Sequence, residues 1–145
     1  MKELLIRKAQ YKDQEALLNL EQKLIDAERP YNPTLKAQAA IYYDFDTLLD
    51  ESTSHLMVVE SGNEIIGTGY AQIRSSKKSL NHDTHAYLGF MYVEAEYRGF
   101  GINKMIMENL MQWSKEQGVS DFYLDVYDDN EAAIRAYEKV GFSKS

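Results

Sequence analysis

Two closely spaced glycines lie between a strand-like run and a helix-like run of the sequence. Gly99 and Gly101 separate the apolar residues 86–93 from residues 104–117, whose apolar positions have helical spacing. A strand that turns into a helix through such glycines presents successive backbone N–H groups and the positive end of a helix dipole to one point. The pattern therefore predicts an anion site, although any tight strand-to-helix turn also uses glycine to reach positive φ.

Residues around these glycines, and a second segment further along the chain, narrow the interpretation. Arg98 precedes the turn, Phe100 stands between the glycines, and residues 130–142 read Asn-Glu-Ala-Ala-Ile-Arg-Ala-Tyr-Glu-Lys-Val-Gly-Phe. Together the two segments strongly resemble the GNAT superfamily of N-acetyltransferases, which bind acetyl-coenzyme A. In that family an Arg/Gln-x-x-Gly-x-Gly/Ala loop holds the cofactor pyrophosphate. The sequence departs from this motif at Asn103, but Asn tolerates unusual backbone angles, so we expect the loop to persist.

The resemblance implies cofactor contacts in both segments. Backbone groups of the preceding strand would pair with the pantetheine arm as an added strand would. Backbone N–H groups of the loop would hold the pyrophosphate, and Arg98 and Lys104 would add positive charge. The cofactor-binding residues implied in this way are Met91, Val93, Arg98, Gly99, Phe100, Gly101, Ile102, Asn103, Lys104, Asn130 and Ala133.

Acyl transfer to an amine needs a base for the amine and an acid for the departing thiolate. An alkylamine with a pKa near ~10 is mostly protonated at neutral pH, so a base must remove its proton before it attacks. The resemblance implies that Tyr137 is the acid, with a core tyrosine as the alternative. In several relatives a Glu early in the fourth strand is the base. Here that region offers His85 and Tyr87; His85 has the suitable intrinsic pKa, although a histidine at a strand start is often structural or exposed.

The acceptor region is implied by the family and not by a motif. In the family, the loop between the first two helices commonly borders the acceptor site. Residues 29–33 break the first helix here, because both prolines disfavour helical geometry in the residue before them. By resemblance, Glu28, Tyr31 and Asn32 become candidate substrate contacts. An exposed loop fixed by two prolines is the alternative for each of them.

Hydrophobic periodicity predicts the elements that would position these residues. The predicted strands are 4–9, 55–60, 64–73, 85–93 and 122–127, and the predicted helices are 11–27, 34–49 with Thr34 as its cap, 104–117, and one that begins at Asn130. This order predicts an α/β (α+β) fold, a mixed sheet with helices on both faces. The resemblance implies the GNAT fold, with a mostly antiparallel sheet whose fourth and fifth strands splay apart to form the cofactor cleft.

The predicted fourth strand is the one closest to the expected site. Strict alternation would place His85, Tyr87, Gly89, Met91 and Val93 on one face. Ala86, Leu88, Phe90 and Tyr92 would then share the other face. Either face could line the cleft.

Length and composition fit one domain over residues 1–145. The chain has 44% hydrophobic and 27% charged residues and a formal net charge of −7. This charge argues against general nucleic-acid binding and fits a cationic acceptor, or simply confers solubility. The absence of cysteine excludes disulfides and thiolate metal sites, and the three histidines show no metal-ligand motif. With no signal peptide or membrane-spanning run in the sequence, we expect a cytoplasmic protein that binds no metal and no membrane.

The sequence stops soon after Gly141-Phe142, where the family usually continues into a further strand. We therefore expect a short or missing C-terminal strand. Trimming, natural shortening or a partner chain that covers the sheet edge would each account for it, and a homodimer is one possibility.

The leading hypothesis is an acetyl-coenzyme A-dependent N-acetyltransferase. It would act on a small-molecule or peptide primary amine by direct attack in a ternary complex. A non-catalytic acyl-coenzyme A sensor or interaction module of the same fold is the first alternative. A nucleotide-binding protein is the second, although the sequence lacks the Gly-x-x-x-x-Gly-Lys-Ser/Thr pattern. No motif identifies the acceptor.

Overall fold

A computed structural model describes residues 3–31, 44–77 and 82–143 of the chain. Within these residues the strands are β1 (Leu4–Lys8), β2 (Ser54–Ser61), β3 (Glu64–Ser75), β4 (Thr84–Val93) and β5 (Phe122–Tyr123). The α-helices are α1 (Gln14–Glu28), α2 (Phe45–Asp50), α3 (Ile102–Glu116) and α4 (Glu131–Lys139). Short 3₁₀ turns cover Tyr11–Asp13, Arg29–Tyr31 and Ala95–Tyr97. No helix among the described residues is long and apolar enough to span a membrane.

The strands form one sheet in the order β1-β2-β3-β4-β5. The first four strands pair antiparallel, and β4 pairs parallel with β5 after the crossover through α3. Gly62 and Asn63 have φ angles of 55° and 69° in the turn between β2 and β3. Positive φ at both central residues is what a tight hairpin with right-handed strand twist requires, so these two residues suit the turn.

Helices cover both faces of the sheet, as predicted. Apolar side chains of α1 and α2 pack on one face, and those of α3 pack on the other. The two sets of buried helix residues are Leu17, Leu20, Phe45 and Leu48 on the first face and Ile102, Ile106 and Leu110 on the second. We call these the α1 face and the α3 face. Leu18 of α1 is 45% exposed.

The first two helices differ in their limits from the prediction. The α-helix α1 begins at Gln14, after the 3₁₀ turn, and not at Tyr11. The predicted cap Thr34 lies outside the described residues. The described helix α2 begins at Phe45, and its cap is Asp44, whose carboxylate accepts a hydrogen bond from the Thr47 N–H at 3.2 Å.

A glycine in β3 allows α3 to pack close to the sheet. A Cβ atom built on Gly69 would lie 2.7 Å from Cγ2 of Ile106 and 3.2 Å from Cδ1 of Leu110. Real Cβ atoms are not found so close to another atom, so only glycine fits beneath α3 at this position. Close packing of α3 on the sheet therefore accounts for this glycine.

A β-bulge in β4 changes which of its side chains share a face. Thr68 pairs with Tyr92 but Tyr70 pairs with Gly89, so β4 has one more residue than β3 between these pairs. Phe90 lies in this extra step and has a φ of 48°. An extra residue inverts the alternation of the side chains that follow it.

The predicted alternation is therefore wrong beyond Gly89. Phe90 packs on the α1 face together with Tyr87, although the two differ by an odd number of positions. Met91 and Val93 pack on the α3 face together with Leu88. The side chains that follow the bulge therefore lie on the faces opposite to those that strict alternation predicts.

The fifth strand is much shorter than predicted. Phe122 and Tyr123 pair with Ala86 and Tyr87, and residues 124–127 form no strand. The two chain segments separate beyond Tyr87, which leaves the remaining length of β4 without β5 beside it. The splay implied by the family resemblance is present.

Candidate active site

A cleft of about 700 Å³ opens where β4 and β5 separate. Its walls come from the last turns of α1, from residues 87–93 of β4, from residues 125–127 and from α4. Eight of the residues predicted as site residues line it: Glu28, Met91, Val93, Arg98, Asn103, Asn130, Ala133 and Tyr137. The fold thus brings both sequence motifs and the end of α1 to one place.

The glycine loop stands at one end of this cleft. Gly99 and Gly101 have φ angles of 86° and 78°, values that glycine adopts without the strain other residues would carry. A Cβ atom built on either glycine would meet no described atom within 4 Å, so the space in front of the loop is open. Gly101 is the N-cap of α3, and the first N–H groups of a helix have no acceptor inside it. The arrangement fits a phosphate group.

Arg98 is held at the same end of the cleft by the backbone of β4. Its Nε donates to the Val93 carbonyl oxygen at 2.9 Å, and its Cζ lies 5.3 Å from the centroid of the Tyr92 ring. These contacts fix the guanidinium beside the N-terminus of α3. A positive group next to a helix N-terminus adds to the attraction for an anion.

Three of the predicted loop residues direct their side chains away from the cleft. Ile102 is buried in the core on the α3 face, so only its backbone can reach a ligand. Phe100 is 59% exposed, and Lys104 is exposed with its Nζ 3.9 Å from Oε1 of Glu108. None of the three lines the cleft. The loop therefore offers backbone groups, with Arg98 and Asn103 as its side chains in the cleft.

The last helix presents its predicted residues to the cleft from a capped N-terminus. The Asn130 Oδ1 accepts a hydrogen bond from the Ala133 N–H at 3.3 Å, which fixes the first turn of α4. Tyr137 lies one turn beyond Ala133 and is half-buried in the cleft. Burial raises the pKa of the Tyr137 hydroxyl, and the negative charge of Glu28 raises it further. At neutral pH this hydroxyl keeps its proton.

Tyr87, Asp125 and Tyr127 line the end of the cleft away from the glycine loop, and Arg74 and Tyr31 contact them from outside the lining. The Tyr87 hydroxyl donates to Oδ2 of Asp125 at 2.9 Å, and the Cζ atom of Arg74 lies 4.0 Å from the centroid of the Tyr87 ring. Burial raises the pKa of Tyr87, and the hydrogen bond to Asp125 raises it further. Tyr31, a predicted substrate contact, stacks on Tyr127 with ring centroids 6.3 Å apart. The predicted contact Asn32 lies outside the described residues.

His85, the predicted base, does not line the cleft. Its Nδ1 is 3.0 Å from the Ser76 hydroxyl oxygen, and that oxygen is 2.7 Å from Nδ1 of His82. Burial lowers the pKa of His85, and the charges of His82 and Arg74 lower it further. The residue lies about 7 Å along the strand from Tyr87, the nearest cleft residue of β4. Its electrostatics suit a base, but its position requires a link through water.

The sequence did not identify Asp125 or Tyr127 as site residues. The sequence predicts a strand over residues 122–127, but 124–127 form none, and their separation from β4 lets Asp125 and Tyr127 line the cleft. Arg74 lies in β3 opposite His85, one residue beyond the predicted end of that strand. The register of β3 against β4 brings Arg74 close to Tyr87, and no single segment of the sequence reveals that register. In the described residues, no group of three or more acidic, histidine or cysteine side chains could hold a metal ion.

Comparison with known sequences shows one family match and several relatives. Residues 21–142 match the acetyltransferase (GNAT) family. N-acetyltransferase 8B from Homo sapiens is 29% identical over 103 residues, which cover 67% of the chain and 42% of that relative. The thialysine N-epsilon-acetyltransferase of Sus scrofa is 28% identical over 150 residues, which cover 97% of the chain and 85% of that relative. The chain thus spans less than half the length of the first of these relatives.

Solved structures share the fold. A predicted acetyltransferase from Clostridium acetobutylicum, crystallised with acetyl-coenzyme A, superposes with a TM-score of 0.78 at 20% sequence identity. The superposition covers 99% of the chain and 92% of that protein. At this identity the similarity establishes the architecture of the sheet and helices.

Proposed function

The chain belongs to the acetyltransferase (GNAT) family, and we propose that it transfers the acetyl group of acetyl-coenzyme A to a primary amine by direct attack in a ternary complex. The observation that carries this proposal is one continuous cleft with Arg98 and the N-terminus of α3 at one end and Tyr137 in its wall. Transfer of an acetyl group from a phosphate-bearing thioester needs an anion site and a proton donor. This cleft contains both.

The residues of the chain fit this cofactor in two ways. Backbone N–H groups of residues 99–104 hold the pyrophosphate, with Arg98 adding charge. Beyond Tyr87 the pairing of β4 with β5 stops, so the backbone of Met91 and Val93 can pair with an extended arm in place of a strand. Bound acetyl-coenzyme A supplies an activated thioester, and the chain positions it.

Tyr137 donates the proton that the departing thiolate requires. Its raised pKa keeps the hydroxyl protonated at neutral pH, so it is available as an acid. Glu28 lies close enough to raise that pKa, and the same carboxylate attracts a protonated amine into the cleft. We propose His85 as the base, acting through water, because its lowered pKa leaves the ring neutral at pH 7.

Positioning contributes more than any one of these groups. Holding the amine and the thioester in one cleft lowers the barrier by roughly 7 to 11 kcal/mol when the alignment is good. Glu28 and Tyr31 are the proposed acceptor contacts among the described residues, and Asn32 stays a prediction. The predicted homodimer and the cytoplasmic location also stay predictions.

The experiment that tests the function is a thiol-release assay with acetyl-coenzyme A and a panel of primary amines, with mass spectrometry of the products. We expect release of coenzyme A only when an amine is present, equimolar acetylated amine, and intersecting initial-rate plots. Acetylated protein that accumulates without an amine would contradict direct attack. A folded protein that binds acetyl-coenzyme A and acetylates no amine would support the sensor alternative.

A further inference from the structure

Two opposite charges flank Tyr87 at the end of the cleft away from the glycine loop. The Arg74 guanidinium covers the face of the Tyr87 ring, and the Asp125 carboxylate accepts the hydrogen bond of its hydroxyl. Arg74 comes from β3 and Asp125 from the segment after β5, so three separate segments meet here. The Nε of Arg74 also donates to Oε1 of Gln72 at 2.9 Å, which fixes the orientation of the guanidinium.

Neither charge is neutralised within the described part of the chain. No described ion pair includes Arg74 or Asp125, and the two do not pair with each other. Both side chains are exposed. Both contact Tyr87, Arg74 at the face of the ring and Asp125 at the hydroxyl. Asp125 lines the cleft and Arg74 lies just outside its lining, so a negative and a positive group meet at this end.

A molecule with one negative and one positive group close together matches this arrangement. The planar guanidinium binds a carboxylate through a fork of N–H donors, and the Asp125 carboxylate accepts hydrogen bonds from an ammonium. The head group of an α-amino acid carries both groups on one carbon. A diamine without a carboxylate would leave Arg74 unused. An amino carboxylate without an α-ammonium would leave Asp125 unused.

We propose that the acceptor is an α-amino acid whose side chain ends in a primary amine, bound by its head group between Arg74 and Asp125. This proposal rests on the proposed function, because it names the acceptor of the same cleft. Tyr87 and Asp125 line the cleft that also contains Glu28 and Tyr137, so the side-chain amine extends toward those two residues.

The path between the two ends suits a methylene chain. Leu24, Ala27 and Phe90 line the same cleft and offer apolar contact between its polar ends. A lysine-like side chain therefore spans from the rim at Tyr87 toward Tyr137.

Three amines of equal chain length test the proposal. L-Lysine carries both head groups, cadaverine lacks the carboxylate, and 6-aminohexanoate lacks the α-ammonium. We expect kcat/KM for lysine to exceed that for each of the other two about tenfold, the loss expected when a partly exposed charge-assisted hydrogen bond is removed. The site of acetylation, read by fragmentation in a mass spectrometer, is the side-chain amine.

Variants assign each preference to one residue. Arg74→Met removes the preference for lysine over cadaverine. Arg74→Lys restores part of the preference, because it keeps the charge without the fork. Asp125→Asn removes the preference for lysine over 6-aminohexanoate. Lys115→Met, which removes an exposed positive charge from the last turn of α3, changes neither ratio.

The outcomes separate this proposal from the proposed function. Equal kcat/KM for the three amines, or ratios that Arg74→Met and Asp125→Asn leave unchanged, would overturn the head-group site while the acetyltransferase function stands. Failure to bind acetyl-coenzyme A would overturn both. Near-wild-type far-ultraviolet circular dichroism and acetyl-coenzyme A affinity in each variant exclude loss of folding as the cause.

Discussion

The two ends of the cleft are constructed from different parts of the polypeptide. At the glycine end, Gly99, Gly101 and the first turn of α3 present backbone groups, and the contacts lie within six consecutive residues. At the other end, Tyr87 and Asp125 are 38 positions apart in sequence, and Arg74 comes from a third segment. Backbone conformation forms the first end, and side chains brought together by strand pairing form the second.

This difference separates what a family retains from what an individual member can change. A pyrophosphate site made of N–H groups needs glycine at particular φ angles and tolerates many side chains around it. A site made of side chains changes its ligand with a single substitution. We therefore propose that the glycine end holds the shared cofactor and that the Tyr87 end sets the acceptor.

The largest expected effect tests whether Tyr137 belongs to the chemistry. Tyr137→Phe removes the proton donor and keeps the ring, so we expect kcat to fall about 100-fold. Acetyl-coenzyme A affinity, measured by calorimetry, should stay within error of the wild type. Equal loss of affinity and turnover would instead indicate that the hydroxyl holds the cofactor.

The next effect tests whether the glycine end depends on its backbone. Gly101→Asp places a carboxylate where the loop leaves open space, and we expect the Kd for acetyl-coenzyme A to rise about thirtyfold. Gly118→Asp is the matched control, because Gly118 has a φ of 84°, has open space around it and lies at the other end of α3. Both variants carry the same backbone strain. A similar rise in Kd for both would attribute the effect to strain.

A smaller effect tests whether loop side chains matter. Lys104 is exposed and lies outside the lining of the cleft. Because exposed charges are well screened, Lys104→Gln should raise the Kd for acetyl-coenzyme A no more than about threefold. Calorimetry at low and moderate salt measures this Kd. A rise as large as that of Gly101→Asp would place this side chain on the phosphates and weaken the comparison.

The smallest expected effect is on the pH dependence of the free energy of unfolding. It involves two histidines that lie outside both ends of the cleft. His55 stacks on Trp113, and burial lowers its pKa below 6.5 while its hydrogen bond with Asn109 opposes the change. Since the unfolded chain binds the proton first, the free energy of unfolding falls as pH drops below about 6.5. His85, whose pKa is also lowered, acts in the same direction.

Urea unfolding between about pH 7 and pH 5 measures the slope of the free energy of unfolding against pH. This pH range lies above the one in which most carboxylates titrate. The variants His55→Gln and His85→Gln should each flatten it, and the double variant should flatten it most. An unchanged slope in the double variant would show that neither ring is held neutral by the fold.

Much of the glycine end could be predicted from the sequence. Positive φ at Gly99 and Gly101 and the Asn130 cap each depend on a local backbone preference that the residue type reveals. The buried stripe of α3 follows from helical spacing in the same way. Local physics determines these features, so one stretch of sequence suffices.

The other end could not be predicted for a physical reason. The bulge at Phe90, between the two ends, places a bulky residue at positive φ, where residue type gives no warning, and it reverses the facing of the β4 residues that follow. The contact of Tyr87 with Asp125 and the distance of His85 from the cleft depend on register between strands. Register is a property of the assembled sheet and not of any one segment.

Calorimetric titration of the purified protein with acetyl-coenzyme A tests the central claim most directly. The account predicts saturable one-to-one binding by the wild type and by Gly118→Asp, and its loss in the double variant Arg98→Ala, Gly101→Asp. Binding that the double variant retains would place the cofactor away from the glycine loop. A folded wild-type protein that binds no acetyl-coenzyme A would contradict the assignment of the cleft altogether.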